Sequence, residues 1–323
     1  MNDSDSWLFE KDARTGKSSG CTPQARSLQQ LLDCGFILVN KPPGPNSHQL
    51  AAWSRNMLEL GKIGHGGTLD PFATGLLTLL CGRATKVTGE ILNKPKRYIA
   101  VLRFKGGLAR DEISNQLSIL STEVYNVPPK ESAVKVQVRS RRISRAYLID
   151  SSPDLTLHAV SIHCDAGTYI RTLSKDIGLM IGSECELMEL HREGSGRFDE
   201  SMACSMQQLT DAVFLWREHD DERGLRKLLS PIEDLLYDLP NLVVKDGAVA
   251  AMSHGAPLTR PGLVSAPKGI YRGTKVLISS IKGEAVAIAE LCVNTDELSS
   301  ISSGEVATAT RVLMPSGTYP QTW

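Results

Sequence analysis

Pro and Gly cut this chain into short segments, and that punctuation limits the possible folds more than any other feature. Phe36-Ile37-Leu38-Val39 is an apolar run of strand length that stops at Lys41-Pro42-Pro43-Gly44-Pro45. Leu50, Trp53, Met57 and Leu60 recur at helical spacing, which predicts a helix capped by Ser47 and running to about residue 59. A Gly-rich loop follows over 64–71. Strands are predicted over 98–104 and 156–164, and helices over 168–181, 204–216 and 231–236. Strands and helices mix without βαβ regularity, so α+β with a mixed or antiparallel sheet is favoured over a doubly wound parallel sheet. Past Pro240 only short strand-like runs remain, at 242–245, 275–279, 285–293 and 306–313, the pattern of a small β-rich module. Residues 1–29 are polar and read as a flexible extension, which leaves a large unit over 30–239 and the small module over 240–323.

Composition removes several classes. Apolar residues make up 41% and charged residues 22%, too apolar for a disordered chain. The uncharged stretch 71–82 is only 12 residues long, too short to span a bilayer, and no membrane association is expected. Asp3, Asp5, Glu10 and Asp12 sit where a secretory signal would be apolar. The 7 cysteines are scattered without a CxxC pair, which disfavours a disulfide framework or structural zinc and favours a reducing compartment. Equal numbers of basic and acidic residues hide a pattern. Residues 61–145 hold 15 Lys/Arg against 6 Asp/Glu, a net of +9, whereas 146–240 hold 8 against 18, a net of −10. A basic stretch of this kind suits a polyanion such as RNA, although folding can interleave segments.

The segment Gly64-His65-Gly66-Gly67-Thr68-Leu69-Asp70-Pro71 is where chemistry is most concentrated. Its glycines let backbone approach a ligand or adopt positive φ. Asp70, followed by apolar Phe72-Ala73-Thr74-Gly75-Leu76-Leu77, would sit partly desolvated at the edge of a buried element, where a carboxylate can serve as nucleophile or base. The other reading is structural: Asp70 caps a helix that begins at Pro71. The loop is neither a Walker A loop nor a dinucleotide fingerprint.

These residues resemble the catalytic loop of TruB-type pseudouridine synthases, and the likeness runs over roughly 30–323. Further matching stretches are VNKPPGPNSH at 39–48, GRATK at 82–86, KRY at 96–98, YNVPPKESAV at 125–134, GTYIRTL at 167–173 and the stretch 187–196. Asp246-Gly247-Ala248-Val249, His254-Gly255-Ala256-Pro257-Leu258, and Thr318-Tyr319-Pro320 with Trp323 look like a PUA domain, a small β-barrel-like RNA-binding module. The spelling is most similar to the archaeal and eukaryotic dyskerin branch, the catalytic subunit of H/ACA ribonucleoproteins.

The resemblance implies isomerisation of uridine to pseudouridine in RNA, without metal or cofactor. The targets it implies are tRNA uridine 55 in the TΨC loop, H/ACA guide-directed rRNA sites, or both. In the guided case a guide RNA and small H/ACA partner proteins are implied. It makes Asp70 the catalytic carboxylate, Arg171 its ionic partner, Tyr98 and Tyr169 pocket aromatics, Leu190 a packing residue for the flipped base and His65 a probe of the nucleotide. Arg139, Arg141 and Arg142, with Arg145, follow the PP motif and suit a loop that clamps RNA phosphates. The family has two basic residues after the Leu of its last motif; here His191 and Arg192 precede Glu193, which lowers the charge expected of an RNA-facing edge. A non-catalytic RNA scaffold is the competing class, and a carboxylate hydrolase a weaker one for want of a second acid. The chain has no Lys-rich tail after Trp323, so a cytoplasmic archaeal protein is favoured over a nucleolar one.

Overall fold

The computed structural model describes residues 5–128 and 137–321. The described residues form two compact units, one within 37–229 and the other made of 5–36 with 230–321. In the first unit the sheet path runs Cys204–Ser205, Gly35–Lys41, Thr74–Cys81, Cys185–Ser195, Lys96–Phe104, Leu157–Cys164, Arg139–Ser151 and Glu123–Asn126. It is mixed: Thr74 and Gly75 pair parallel with His191 and Arg192, while Lys96–Phe104 is antiparallel to both of its neighbours. Alternation explains the central strand. Lys96, Tyr98, Ala100, Leu102 and Phe104 face the core and the intervening residues do not. Helices Arg110–Ile119 and Ile170–Ile181 bury Ile113, Leu117, Ile170, Leu173 and Ile177 in that core.

Three local expectations shift. The helix expected up to about residue 59 is Ser47–Met57, and its cap is Asn46, whose side chain accepts from the Gln49 N–H in a capping box. Ser47 is inside the helix, and its hydroxyl accepts the Leu69 N–H at 2.8 Å. No helix begins at Pro71. The chain bends there and enters the buried strand Thr74–Cys81, so Asp70 is not a helix cap. An apolar run of this length fits strand or helix by composition, and pairing along its whole length decides for strand. The four arginines after the PP motif do not form a loop. They lie on the strand Arg139–Ser151, with Arg139, Arg141 and Arg142 opposite Asn126, Val124 and Glu123.

The second unit is built on the sheet order Ser6–Leu8, Leu263–Pro267, Asn241–Val244, Lys275–Ser280, Ala285–Leu291, Glu305–Val312 and Leu258–Thr259. The four strands predicted past Pro240 are all present. The polar N-terminal segment, expected to be flexible, is ordered by this unit. Trp7 lies opposite Ala266 in an antiparallel pair, Asp246 accepts from the Gly16 N–H at 2.8 Å, and Glu284 accepts from the Cys21 N–H at 3.1 Å. Leu28–Cys34 then forms a helix capped by Ser27. Two buried groups anchor the far end of the chain: the Tyr319 hydroxyl donates to Glu284 at 2.5 Å, and burial raises the Tyr319 pKa. Trp323 lies outside the described residues, as do the last six residues, 129–134, of the YNVPPKESAV stretch. Among the described residues no helix is long and apolar enough to cross a membrane.

One glycine is obligatory where the two parallel strands meet. Gly75 has φ +100°, and a Cβ there would lie 2.3 Å from the Arg192 carbonyl oxygen. Replacing Gly75 with Ala is expected to destabilise the protein by roughly 3 kcal/mol or more, because strain and backbone collision add. Urea unfolding of the variant measures the loss directly, and a midpoint equal to wild type would contradict the packing described.

Candidate active site

Asp70 sits on a turn that is pinned from both sides. The Leu69 N–H donates to the buried Ser47 hydroxyl. The Asp70 carbonyl accepts the Ala73 N–H at 3.1 Å, closing the turn. Beneath it the Lys41 ammonium, wholly buried, donates to the carbonyls of Pro42, Pro71 and Ala73 at 2.9, 3.1 and 2.7 Å. Three carbonyl dipoles replace the water that this charge has lost. Burial still lowers the Lys41 pKa, while the negative charge of Asp70 opposes the shift.

The Asp70 carboxylate accepts from Arg171 Nη2 at 2.5 Å, with side-chain exposures of 39% and 32%. The pair is therefore half-buried, where a guanidinium both orients a carboxylate and favours its ionised form. Arg171 is the second residue of the helix Ile170–Ile181. That helix start is fixed by Asn126, which accepts the Tyr169 N–H at 2.8 Å and donates its amide to the Tyr169 carbonyl at 3.3 Å. Thr172 adds a hydroxyl bond to the Val127 carbonyl at 2.8 Å. The Arg171 guanidinium also lies 5.8 Å from the Phe72 ring centre.

Tyr98 is 8% exposed and packs in one core cluster with Leu69, Ala73, Ile170 and Leu190. Burial raises its phenol pKa, Arg192 opposes the rise, and the nearby Asp70 charge adds to it. The phenol therefore stays protonated at neutral pH. Leu190 pairs with Ala100 across the sheet. The structure thus brings together Asp70, Arg171, Tyr98 and Leu190, with Tyr169 half-buried at the cap of the helix that carries Arg171.

His65 ends the short strand Ile63–His65. Its ring meets His48 edge-on, with ring centres 4.6 Å apart. Burial pushes its pKa down to about 4, and the positive charges of His48 and Arg192 push the same way. A neutral ring cannot serve as a cation for a phosphate, so its nucleotide chemistry is limited to stacking and hydrogen bonding. The arginine set is not a uniform clamp. Arg139 and Arg142 are exposed, but Arg141 is turned inward and would be 3.2 Å from a Cβ on Gly167.

Four contributors escaped the sequence reading: Lys41, Ser47, Asn126 and Arg192. Arg192 was expected on a charged edge and is instead 2% exposed. His191 accepts or donates at Thr74 Oγ1 and Glu200 Oε2, at 2.8 and 2.5 Å, and so is engaged within the sheet rather than on a free basic surface.

Four family models match successive stretches of the chain. Residues 55–170 match the TruB family pseudouridylate synthase (N terminal domain), 171–237 the tRNA pseudouridylate synthase B C-terminal domain, 240–313 the PUA domain and 1–51 the DKCLD (NUC011) domain. The chain is 37% identical to a probable tRNA pseudouridine synthase B of Methanocaldococcus jannaschii, over 100% of this chain and 96% of that protein. It is 34% identical to the protein of the same description from Archaeoglobus fulgidus, over 99% and 98%. It is similar to a chain in a structure of an H/ACA RNP bound to a substrate RNA containing 2'-deoxyuridine, with TM-score 0.90, 32% identity and coverage of 98% and 97%. A chain in a Cbf5-Nop10-Gar1 complex gives TM-score 0.89, 34% identity and coverage of 98% and 95%.

The lowered His65 pKa has a signed consequence. Between about pH 6.5 and 4 the unfolded chain binds a proton at His65 that the folded chain does not, so stability falls as pH drops through that window. A His65→Asn variant is expected to lose about 1 kcal/mol less than wild type between pH 7 and 5, after allowance for partial solvent screening. Paired urea titrations at the two pH values read this, and equal losses would contradict a half-buried neutral ring.

Proposed function

The chain belongs to the TruB family of pseudouridylate synthases, and from that premise we propose that Asp70 is the carboxylate that acts on the target uridine, held ready by Arg171. The observation that carries the assignment is the 2.5 Å contact between the two side chains beside the buried phenol of Tyr98. The reaction is an isomerisation. The bond from C1′ to N1 of the uracil breaks, the base turns, C5 bonds to C1′, and the C5 proton is lost while N1 gains one. A base inside folded RNA must first be flipped out of its stack. Tyr98 then presents a ring face to the uracil, with its hydroxyl placed near the departing C5 proton. Leu190 and Tyr169 supply apolar walls, and neutral His65 contacts the flipped nucleotide or its neighbour. Arg139 and Arg142, exposed on their strand, suit phosphates.

The substrate we propose is RNA selected in either of two ways. Similarity along the whole chain to the protein of an H/ACA RNP supports guide-directed rRNA sites, with the PUA module holding the guide and small partner proteins completing the particle. The description of the archaeal relatives supports tRNA, and the resemblance of the motifs makes uridine 55 the position we propose. None of the 7 cysteines is in a disulfide, which supports a reducing cytoplasm. A scaffold role is disfavoured, because a scaffold has no use for a carboxylate and guanidinium poised beside a buried phenol.

Asp70→Asn is expected to abolish pseudouridine formation, by at least about 1,000-fold, while RNA affinity stays within about threefold. Tritium release from C5-labelled uridine RNA, run beside a binding titration, measures both. Wild-type turnover in the variant would overturn the assignment. Mapping pseudouridine in total RNA with and without the protein separates the targets: loss confined to tRNA supports stand-alone action, and loss in rRNA supports guides.

A further inference from the structure

Arg192 is the largest side chain that is essentially removed from solvent, at 2% exposure. Its Nε donates to the Leu76 carbonyl at 2.7 Å and its Nη2 to the Gly67 carbonyl at 3.1 Å. It also reaches the Tyr98 phenol as a hydrogen-bonding partner. It forms no ion pair among the described residues. Its charge disfavours the charged forms of two further buried cations, Lys41 and Lys96. Lys96 is 5% exposed, and burial and Arg192 together bring its pKa down to about 7. A buried guanidinium next to two buried ammonium groups is costly to desolvate. An apolar side chain would fill the same space without that cost, so the fork must supply something that packing cannot. Its partners say what: the glycine loop before Asp70, the strand after it, and the phenol on the neighbouring strand.

We propose that Arg192 is a positioning residue for catalysis. One rigid fork ties the Gly67 carbonyl, the Leu76 carbonyl and the Tyr98 hydroxyl into a single frame. The spacing between the Asp70 turn and the phenol is thereby set before RNA arrives. Gly67 takes part through its backbone: its φ of +118° is one that favours glycine, and it turns the carbonyl that Arg192 holds. The proposal rests on the reading of Asp70 and Tyr98 as the reacting pair. It assigns Arg192 a role opposite to that of an RNA-facing basic edge.

The test uses the full chain with Arg192→Ala and Arg192→Lys. Single-turnover tritium release is read beside RNA affinity and thermal melting. Arg192→Ala is expected to slow the single-turnover rate about 100-fold with RNA affinity changed less than about threefold, and low millimolar guanidinium is expected to restore at least about tenfold of that loss. Arg192→Lys keeps the charge but replaces the planar fork, whose Nε and Nη2 reach carbonyls on separate segments, by a single point donor that cannot span them, and is expected to be slowed by at least about tenfold. Should the Ala variant fail to fold, the Lys variant decides alone. A folded Lys variant with wild-type rate overturns the proposal, as does loss of RNA affinity in proportion to loss of rate. If Asp70→Asn retained turnover, the assignment of Asp70 would fail instead, whatever the Arg192 variants did.

Discussion

An ionised carboxylate at the border of an apolar core needs a cation to hold it charged, and the pairing of Asp70 with Arg171 is the constraint on which the site depends. The rest of the local architecture fixes the two halves of that pair. Lys41 and Ser47 hold the turn that carries Asp70. Asn126 holds the helix start that carries Arg171. The two halves come from residues 101 positions apart in the chain, and the sheet brings them together by seating Cys185–Ser195 between Thr74–Cys81 and Lys96–Phe104.

Charge beneath the site is arranged unusually. Lys41, Lys96 and Arg192 are all buried, and backbone carbonyls are the partners of all three. Such cations cannot be exchanged for water-facing lysines, because their bonds go to turns whose geometry they define.

Much of this could be read from residues. The module past Pro240 was legible because Gly and Pro punctuate each short run and alternation marks its buried face. The helix Ile170–Ile181 was legible from its apolar periodicity. Other features were hidden for definite reasons. The N-terminal segment has too little apolar surface to order itself, and its anchors lie far off in the chain: Thr15 bonds to Asp246, 231 positions away. The apolar run after Pro71 suited either a capped helix or a buried strand, and only pairing with a distant strand settles it. Arg192 and Lys41 were invisible as interior groups because charged residues are surface residues by default. Arg141 and Arg142 are adjacent, yet a strand sends neighbours to opposite faces, which no charge count reveals.

The most direct check on the central claim is the position of the Asp70 carboxylate in a complex with RNA carrying an unreactive analogue of the target uridine. A crystal structure of that complex is expected to place a carboxylate oxygen within about 3.5 Å of the ribose or uracil of the flipped nucleotide, with Arg171 still bound to the other side. A flipped nucleotide seated more than about 6 Å from that carboxylate, with Asp70 turned to solvent, would contradict the account.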